Sequence, residues 1–339
     1  MSELKIGIVG CGFISENHLR AWEQVEGAKV VALCDIDEER LGYRARQFKI
    51  EHTYADVQEM LEKECLNVLD VTTPKETHRN IVNSAAAKRA HVLCQKPFAP
   101  TLEDGKAMVD ECRRNNVKLM VHQNFRWHPW FAKIKELLAA ETLGPVFYAN
   151  GSQRHAAALR DANGDVPVLK VQPFYADTPR LVLFEMAYHY VDLLRYFFGD
   201  VESVYARTAN VGSTVKGEEL VSLILNFRHT IGVVEVSWAS IGEGFSSRTR
   251  LEGPHGTIFF DGEQNPSLKA FLQDMDAVSY DMPQGDYFLG GFIGAQRHFA
   301  ECIREDKEPV SSGEDNLNTL ATILSAYESA ERNALTTIS

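Results

Sequence analysis

The 339-residue sequence contains no apolar run that approaches the length needed to span a bilayer, which argues against a helical membrane protein. Positive charge is also scarce, since 35 lysines and arginines stand against 47 aspartates and glutamates. The resulting formal net charge of −12 disfavours binding to nucleic acid or to an anionic membrane. The sequence begins without a basic-then-apolar leader, so we expect a cytoplasmic protein.

The six cysteines include no Cys-x-x-Cys pair and no spacing typical of metal ligands. Four of them lie in apolar or helix-like stretches, where a buried free thiol is the ordinary interpretation. This usage is typical of a reducing compartment. Since the histidines and carboxylates can be assigned without a metal, the sequence predicts no metal site.

The length, with 45% hydrophobic residues, suits two domains that each bury a core. Over residues 1–124, strand-like and helix-like stretches alternate, which predicts an α/β Rossmann domain with a doubly wound parallel sheet. Over residues 125–339, longer alternating strands predict an α+β domain with a large, mostly antiparallel open sheet. The stretch 151–179 fits neither pattern and is typical of a lid or a binding loop.

A glycine-rich turn follows the first hydrophobic run. The run Leu4–Val9 leads into the turn 10–15 (GCGFIS) and then into a helix-like stretch. Gly10 permits a tight turn, Gly12 lets the backbone approach a pyrophosphate, and the N-terminus of the helix favours an anion. Ser15 occupies the third fingerprint position, where a small residue is needed. In this strand–turn–helix context, the pattern predicts a dinucleotide site.

Asp35 follows the second strand-like run and indicates which dinucleotide binds. A carboxylate at this point accepts hydrogen bonds from a ribose 2′-hydroxyl and repels a 2′-phosphate. The first cation after it is Arg40. We therefore expect NAD rather than NADP as the cofactor. The alternative is that Asp35 only caps the helix that follows.

Lys96 lies at the carboxyl end of a predicted strand, in the tripeptide Gln95-Lys96-Pro97. Ligands of doubly wound sheets bind beyond the carboxyl ends of the strands. An ammonium group at that edge can hydrogen-bond a substrate oxygen while hydride leaves the carbon. The alternative is a solvated surface lysine, which the tripeptide alone does not exclude.

A second cluster lies on the predicted helix 183–198, which Gly199 ends. Glu185 and His189 are four residues apart, and Asp192 is three residues beyond His189, so the three share a face. A histidine flanked by carboxylates is suited to proton transfer, because a carboxylate can fix its tautomer. The alternative is a salt-bridged helix face with a structural histidine.

These motifs occur in a fixed order along the chain. The glycine turn, Thr73-Pro74 with His78, the Lys-Pro tripeptide, the 122–126 segment, the Glu185/His189/Asp192 helix and the late turn 253–257 follow one another. Together they resemble the glucose–fructose oxidoreductase/inositol dehydrogenase (GFO/IDH/MocA) family over essentially the whole chain. The resemblance implies an NAD-dependent dehydrogenase that transfers a hydride between nicotinamide and a secondary alcohol or ketone of a sugar, polyol or sugar acid. It also implies a homodimer or homotetramer.

The resemblance assigns catalytic positions to Lys96, His189 and Glu185, and a substrate-binding position to Asp192. The expected cofactor-binding residues are Gly10, Gly12, Phe13, Ile14, Asp35, Thr73, Pro74, His78, Gln95, Lys96 and Asn124. Two residues depart from the family pattern. Gln95 replaces the usual glutamate and removes a charge beside Lys96, and Glu185 replaces the usual aspartate.

Residues for substrate recognition are less well marked. Arg154 and Arg180 have the planar fork that suits a carboxylate, which would fit a sugar acid. Tyr175 can line a sugar ring or fill a core. The expected substrate-binding set is Lys96, Arg126, Arg154, Tyr175, Arg180, Glu185, His189 and Asp192; the alternative is that most of them pack or stay solvated.

Two other functions use the same motifs. An isomerase, epimerase or lyase that recycles its bound NAD needs the same site as a dehydrogenase. A non-catalytic NAD-binding regulator is a third hypothesis, against which the intact Lys96 and His189 count.

Overall fold

The computed structural model describes residues 3–242, 245–262, 266–281 and 285–338. The chain forms two compact units. The first comprises residues 1–128 and 286–320, and the second comprises residues 129–285 and 321–339. Within the described ranges, no helix combines the length and apolar character needed to cross a membrane.

The first unit is built on a parallel sheet. Its strands are β1 Leu4–Val9, β2 Ala28–Cys34, β3 His52–Tyr54, β4 Val68–Val71, β5 His91–Gln95 and β6 Leu119–His122. They lie in the order β3-β2-β1-β4-β5-β6, and every neighbouring pair is parallel. The predicted doubly wound sheet is confirmed. The strand order reverses between β1 and β4, which is where such sheets bind ligands.

Helices connect these strands. They are α1 Ser15–Trp22, α2 Glu38–Phe48, α3 Val57–Lys63, α4 Lys75–Ala87 and α5 Leu102–Arg114, and a 3-10 turn covers Asn124–Trp127. Local sequence explains several helix starts, because the side chains of Asp37, Asp56 and Thr101 accept hydrogen bonds from the first-turn N–H groups of α2, α3 and α5.

The second unit carries α6 Pro129–Ala139, β7 Tyr148–Arg154, α7 Pro167–Val171, a 3-10 turn Pro173–Ala176, a π-helical turn Leu183–Ala187 and α8 Tyr188–Phe198. The later strands are β8 Val201–Ala209, β9 Leu220–Phe227, β10 Ile231–Ser237, β11 Ser246–Gly253, β12 Gly256–Asp261, β13 Ser267–Leu272, β14 Val278–Tyr280 and β15 Thr336–Thr337.

These strands form one nine-stranded sheet in the order β14-β13-β12-β11-β7-β10-β9-β8-β15. Only the β10–β7 pair is parallel among the described pairs of this sheet, so the predicted mostly antiparallel sheet is confirmed. Tyr190 of α8 packs on one face of this sheet against Gly151, where an added Cβ would lie 2.5 Å from the ring. The Tyr190 hydroxyl donates to the Ser152 carbonyl at 3.1 Å.

The last two long helices are α9 Tyr287–Arg304 and α10 Gly313–Arg332. The sequence analysis assigns residues 286–320 to the second domain, but in the structure they belong to the first unit. The reason is packing: Ala295 and Phe299 of α9 are buried in the same core as Leu19 and Trp22 of α1. The division between the units falls inside α10, after Leu320.

Candidate active site

The turn after β1 has the geometry of an anion-binding loop. Gly10 has a φ of +99°, and a Cβ there would lie 2.9 Å from the carbonyl carbon and Oγ1 of Thr72. A Cβ at Gly12 would meet no atom within 4 Å, so that side of the turn is open to a ligand. The Ser15 hydroxyl donates to the Gly12 carbonyl at 2.7 Å and closes the turn at the start of α1. The backbone therefore fits a pyrophosphate at the helix N-terminus.

Asp35 lies beside this turn, at the carboxyl end of β2. Its carboxylate accepts from the Cys11 N–H at 2.5 Å and from the Asp37 N–H at 2.8 Å. The residue that caps α2 is Asp37. Since each carboxylate oxygen has two lone pairs, both oxygens of Asp35 can still accept from a ribose hydroxyl.

The arginines of α2 nearest in sequence to Asp35 are held by carboxylates. Arg40 pairs with Asp37 at 3.1 Å, and Arg44 pairs with Glu16 at 2.6 Å. A 2′-phosphate would need a cation from this region; Arg44 is largely buried in its pair with Glu16, whereas Arg40 has only an exposed surface pair.

Four of the positions expected to bind the cofactor follow the carboxyl ends of four strands that are neighbours in the sheet. Asp35 follows β2, the glycine turn follows β1, Thr73 follows β4 and the half-buried Lys96 follows β5. Because all four strands are parallel, these residues lie along one edge of the first unit. An extended dinucleotide with its ribose at Asp35 and its pyrophosphate at the glycine turn would run toward Lys96.

His78 and Gln95 lie beneath this edge. His78 is fully buried, with Nδ1 3.0 Å from the Phe98 carbonyl and Nε2 2.8 Å from the Thr73 carbonyl. Burial lowers its pKa. Gln95 is also buried, and its Oε1 accepts from the Lys96 N–H at 2.7 Å. Both were expected to bind the cofactor, and in the structure both contact main-chain groups: His78 those of Thr73 and Phe98, and Gln95 that of Lys96.

Three further expected cofactor residues lie on this unit. Phe13 is 56% exposed in the glycine turn, whereas Ile14 packs against Ala21 and Phe292. Asn124 is buried, and its amide lies 3.5 Å from Nε2 of His128.

In the second unit, Glu185 lies in the π-helical turn and His189 and Asp192 lie on α8. His189 is 6% exposed and Asp192 is fully buried. Burial, followed by the charge of the Glu185 carboxylate, raises the pKa of Tyr175. Tyr175 was expected to touch substrate or fill a core, and in the structure it is 4% exposed.

A carboxylate far away in the sequence, that of Glu218, binds main-chain N–H groups at the start of the π-helical turn. Oε1 of the buried Glu218 accepts from the N–H groups of Leu181 and Leu183 at 3.0 Å each, and from the Tyr327 hydroxyl at 2.7 Å. The sequence analysis missed this carboxylate. π-Helical turns are rare and occur often at functional sites, which agrees with Glu185 lying in this one.

The three arginines expected to bind substrate are all ion-paired. Arg126 is 4% exposed; it donates to the Val310 carbonyl at 2.5 Å and pairs with Asp315 at 2.6 Å. Arg154 pairs with Glu235 at 3.2 Å, and Arg180 pairs with Glu331 at 3.6 Å and lies over the Tyr327 ring. Arg126 is thus committed to the fold of the first unit, while the exposed Arg154 and Arg180 have only weak surface pairs.

The described residues include no group of three or more histidines, cysteines or carboxylates that could hold a metal ion. All six cysteines are free thiols. Burial, followed by Asp35, raises the pKa of Cys11 to about 12, so the thiol inside the glycine turn stays protonated.

Comparison with known proteins assigns both parts of the chain to one family. Residues 4–123 match the model described as "Oxidoreductase family, NAD-binding Rossmann fold", and residues 131–259 match the GFO/IDH/MocA C-terminal domain. The D-apiose dehydrogenase of Paraburkholderia graminis is 34% identical over 97% of this chain and 88% of its own. The myo-inositol 2-dehydrogenase of Thermotoga maritima is 25% identical over 97% of this chain and 96% of its own.

The structure also matches a solved oxidoreductase of Agrobacterium radiobacter, determined with NAD⁺, L-tartaric acid and magnesium. The match has a TM-score of 0.92 and 31% identity and covers 99% of each chain. With the geometry of the glycine turn and Asp35, these similarities settle the family. The chain belongs to the GFO/IDH/MocA oxidoreductases and is an NAD-dependent dehydrogenase acting on CH–OH groups.

Proposed function

We propose that the chain interconverts a secondary alcohol and a ketone of a sugar, polyol or sugar acid, with Lys96 and His189 handling the proton. The observation that carries this proposal is the spatial order of residues along one edge of the sheet: Asp35, the glycine turn, Thr73 and Lys96 follow neighbouring strands. In an extended dinucleotide this order would match the ribose, the pyrophosphate and the nicotinamide, so Lys96 is the residue at the reactive end.

Bound NAD supplies the hydride acceptor in the forward direction and, as NADH, the hydride donor in reverse. The ammonium group of Lys96 donates a hydrogen bond to the substrate oxygen and stabilises the charge that develops on it. His189 takes the proton of the same hydroxyl as the C–H bond breaks and the carbonyl forms. In the reverse direction His189 returns that proton to the oxygen.

Glu185 and Asp192 have supporting roles in this proposal. The Glu185 carboxylate, in the π-helical turn, accepts a hydrogen bond from a neighbouring substrate hydroxyl. Asp192 orients the imidazole of His189 from one turn further along α8. Phe13, which is exposed in the glycine turn, covers the bound cofactor in this proposal.

The substrate class follows from the relatives and from the arginines. The relatives are named for apiose and inositol, and the solved relative was determined with tartaric acid. Because Arg126 is held by Asp315, a carboxylate substrate would have to draw on the exposed Arg154 or Arg180. We therefore favour a neutral sugar or polyol over a sugar acid.

The test is a panel of polyols, aldoses and aldonic acids with NAD⁺, followed by absorbance of the reduced nicotinamide. Reduction with one class and analysis of its ketone product would establish the reaction and the substrate class. Product formation without net reduction would contradict the dehydrogenase and indicate recycled cofactor. Binding of NADH with no product from any compound would indicate a regulator.

We also propose that the open face of the nine-stranded sheet joins copies of this chain into a dimer or tetramer. Apolar side chains at alternate positions remain exposed there, including Ile224, Ile231 and Phe271, which are 44–52% exposed. The same face carries both charge signs, as the pairs Arg250–Glu252 and Arg248–Asp261 show. A mixed, self-complementary face suits a symmetric interface between identical chains.

The free thiols and the acidic net charge bear on where this reaction takes place. All six cysteines are free, and the formal net charge is −12. Reduced thiols persist where glutathione and thioredoxin systems act. We propose that the protein works in the cytoplasm.

A further inference from the structure

A buried polar network lies directly beneath Lys96 in the first unit. His18 of α1 and Asp70 of β4 are fully inaccessible to solvent, and Gln95 of β5 is 7% exposed. Asp70 stands in the apolar strand Val68–Val71, where an acid is retained only with partners. The network ends at the main chain of Lys96, so its hydrogen bonds bear on the lysine proposed to be catalytic.

The direction of each hydrogen bond follows from one fixed donor. The main-chain N–H of Lys96 can only donate, and it lies 2.7 Å from Oε1 of Gln95. The other end of that amide is therefore the NH₂ group, which lies 2.8 Å from Nε2 of His18. An NH₂ group donates, so Nε2 of His18 must be the acceptor and carries no proton.

The remaining proton of the imidazole is then on Nδ1. Nδ1 lies 2.9 Å from Oδ2 of Asp70 and donates to it. The same carboxylate oxygen accepts from Nε1 of Trp22 at 2.7 Å and faces Nε2 of Gln296 at 3.4 Å. Asp70 thus fixes the tautomer, and the tautomer fixes the amide orientation of Gln95.

We infer that Gln95 is a positioning residue: its amide oxygen holds the main chain of Lys96, and its NH₂ group donates to an imidazole whose tautomer Asp70 fixes. The inference rests on the proposed role of Lys96. The same hydrogen bonds explain what Gln95 does where the family usually has glutamate. A glutamate at position 95 would offer only acceptors, so His18 would need a second proton to bridge that carboxylate and Asp70. The buried network would then carry the same net charge of minus one as with Gln95.

The surroundings of His18 contain few other titratable groups, so the protons on its ring can be assigned. The side chains that face its ring come from every element packed against it, and they are Trp22, Asp70, Gln95, His122, Phe292 and Gln296. Of these, only Asp70 and His122 are titratable. The His122 ring lies 4.4 Å from the His18 ring, so its state must be followed in the same experiment.

The first measurement is nitrogen-15 NMR of histidine-labelled protein across mildly acidic to mildly alkaline pH, with the His18 signals identified by their loss in His18→Gln. We expect Nδ1 to carry a proton and Nε2 to carry none. A proton on Nε2, or two protons, in the wild type overturns the inference. If His18→Gln does not fold, neutron diffraction of wild-type crystals locates the same proton.

The second measurement is the pH profile of kcat for Gln95→Glu. The imidazole of this variant needs two protons, and it loses one as the pH rises, which leaves the introduced carboxylate buried without a donor from His18. We expect kcat to fall with rising pH in the variant along a limb that the wild type lacks. Parallel profiles for the variant and the wild type would contradict the inference.

Gln95→Met supplies the matched control, since it keeps the shape and removes both hydrogen bonds. We expect kcat to fall about tenfold at every pH, from displacement of Lys96, while the KM for substrate changes little. Full turnover in Gln95→Met overturns the inference. Full turnover in Lys96→Met, by contrast, would end the proposed function and leave the NMR result standing, so the two failures are distinguishable.

Discussion

Asp35 and Asp37 are separated by one residue, yet their carboxylates do different work. Asp37 accepts from the first-turn N–H groups of α2 at 3.1 Å, as a helix cap does. Asp35 accepts from the glycine turn and keeps lone pairs free beside it. The sequence analysis left both roles open for Asp35, because an aspartate before a helix suits either one. In the structure the cap of α2 is Asp37, so capping does not account for Asp35, and the ribose role stays a prediction.

The substitution Asp35→Ser should raise the KM for NAD⁺ about tenfold or more, since it removes a charged acceptor from the ribose. It should also admit NADP⁺, because the repulsion of a 2′-phosphate is lost. Steady-state kinetics with both cofactors measures the change. Asp37→Ser is the matched control: it alters the helix cap and leaves the cofactor preference as it was. An unchanged preference in Asp35→Ser would contradict the ribose assignment.

At the scale of elements, most strands of the first unit were predictable because they are apolar runs bounded by turn residues; the largely exposed β3 is the exception. In the second unit, β14 with three residues and β15 with two are too short to show an alternating pattern. The helix predicted over 183–198 begins as a π-helical turn, and Glu218 accepts from the N–H groups of Leu181 and Leu183 at its start. No local pattern reports a carboxylate that lies 33 residues beyond Glu185 in the sequence.

Removal of the Glu218 carboxylate should therefore loosen the element that carries Glu185. Glu218→Leu leaves two main-chain N–H groups and the Tyr327 hydroxyl buried without their acceptor, at a cost of about 2–4 kcal/mol in the free energy of unfolding. Urea denaturation measures this cost. Tyr327→Phe removes one of the three bonds and should cost about 1 kcal/mol. Equal stability of Glu218→Leu and wild type would show that the carboxylate does not hold the turn.

At the scale of the whole molecule, the order of motifs predicted the family, but the division of the chain was only partly predictable. The sequence analysis divided the chain once, at residue 124, whereas residues 286–320 return to the first unit. Residues 286–320 belong to the first unit because Phe299 and Ala295 lie in one core cluster with Leu19 and Trp22. Local sequence patterns do not reveal such a long-range contact. The buried His18–Asp70 pair was likewise missed, although an aspartate inside an apolar strand was a signal for it.

The open sheet face gives a prediction for the assembled protein. Ile224→Asp places a charge at a 44% exposed position of β9, where it would lie inside the proposed interface. We expect the variant to sediment as a smaller species than the wild type at equal concentration. Ile241→Asp is the control, because Ile241 is 89% exposed and lies outside the strands. The same sedimentation coefficient for Ile224→Asp and wild type would place the interface elsewhere.

The central claim is that Lys96, which follows β5 at the carboxyl edge of the parallel sheet, acts on the substrate oxygen. The most direct test is single-turnover reduction of bound NAD⁺ by the substrate found in the panel, compared between Lys96→Met and Lys88→Met. Lys88 is a surface lysine paired with Glu62 and serves as the control. We predict that Lys96→Met binds NAD⁺ as the wild type does and loses turnover by at least about a hundredfold, as expected when a positioned acid–base group is lost, whereas Lys88→Met keeps the wild-type rate. A wild-type rate in Lys96→Met would contradict the account.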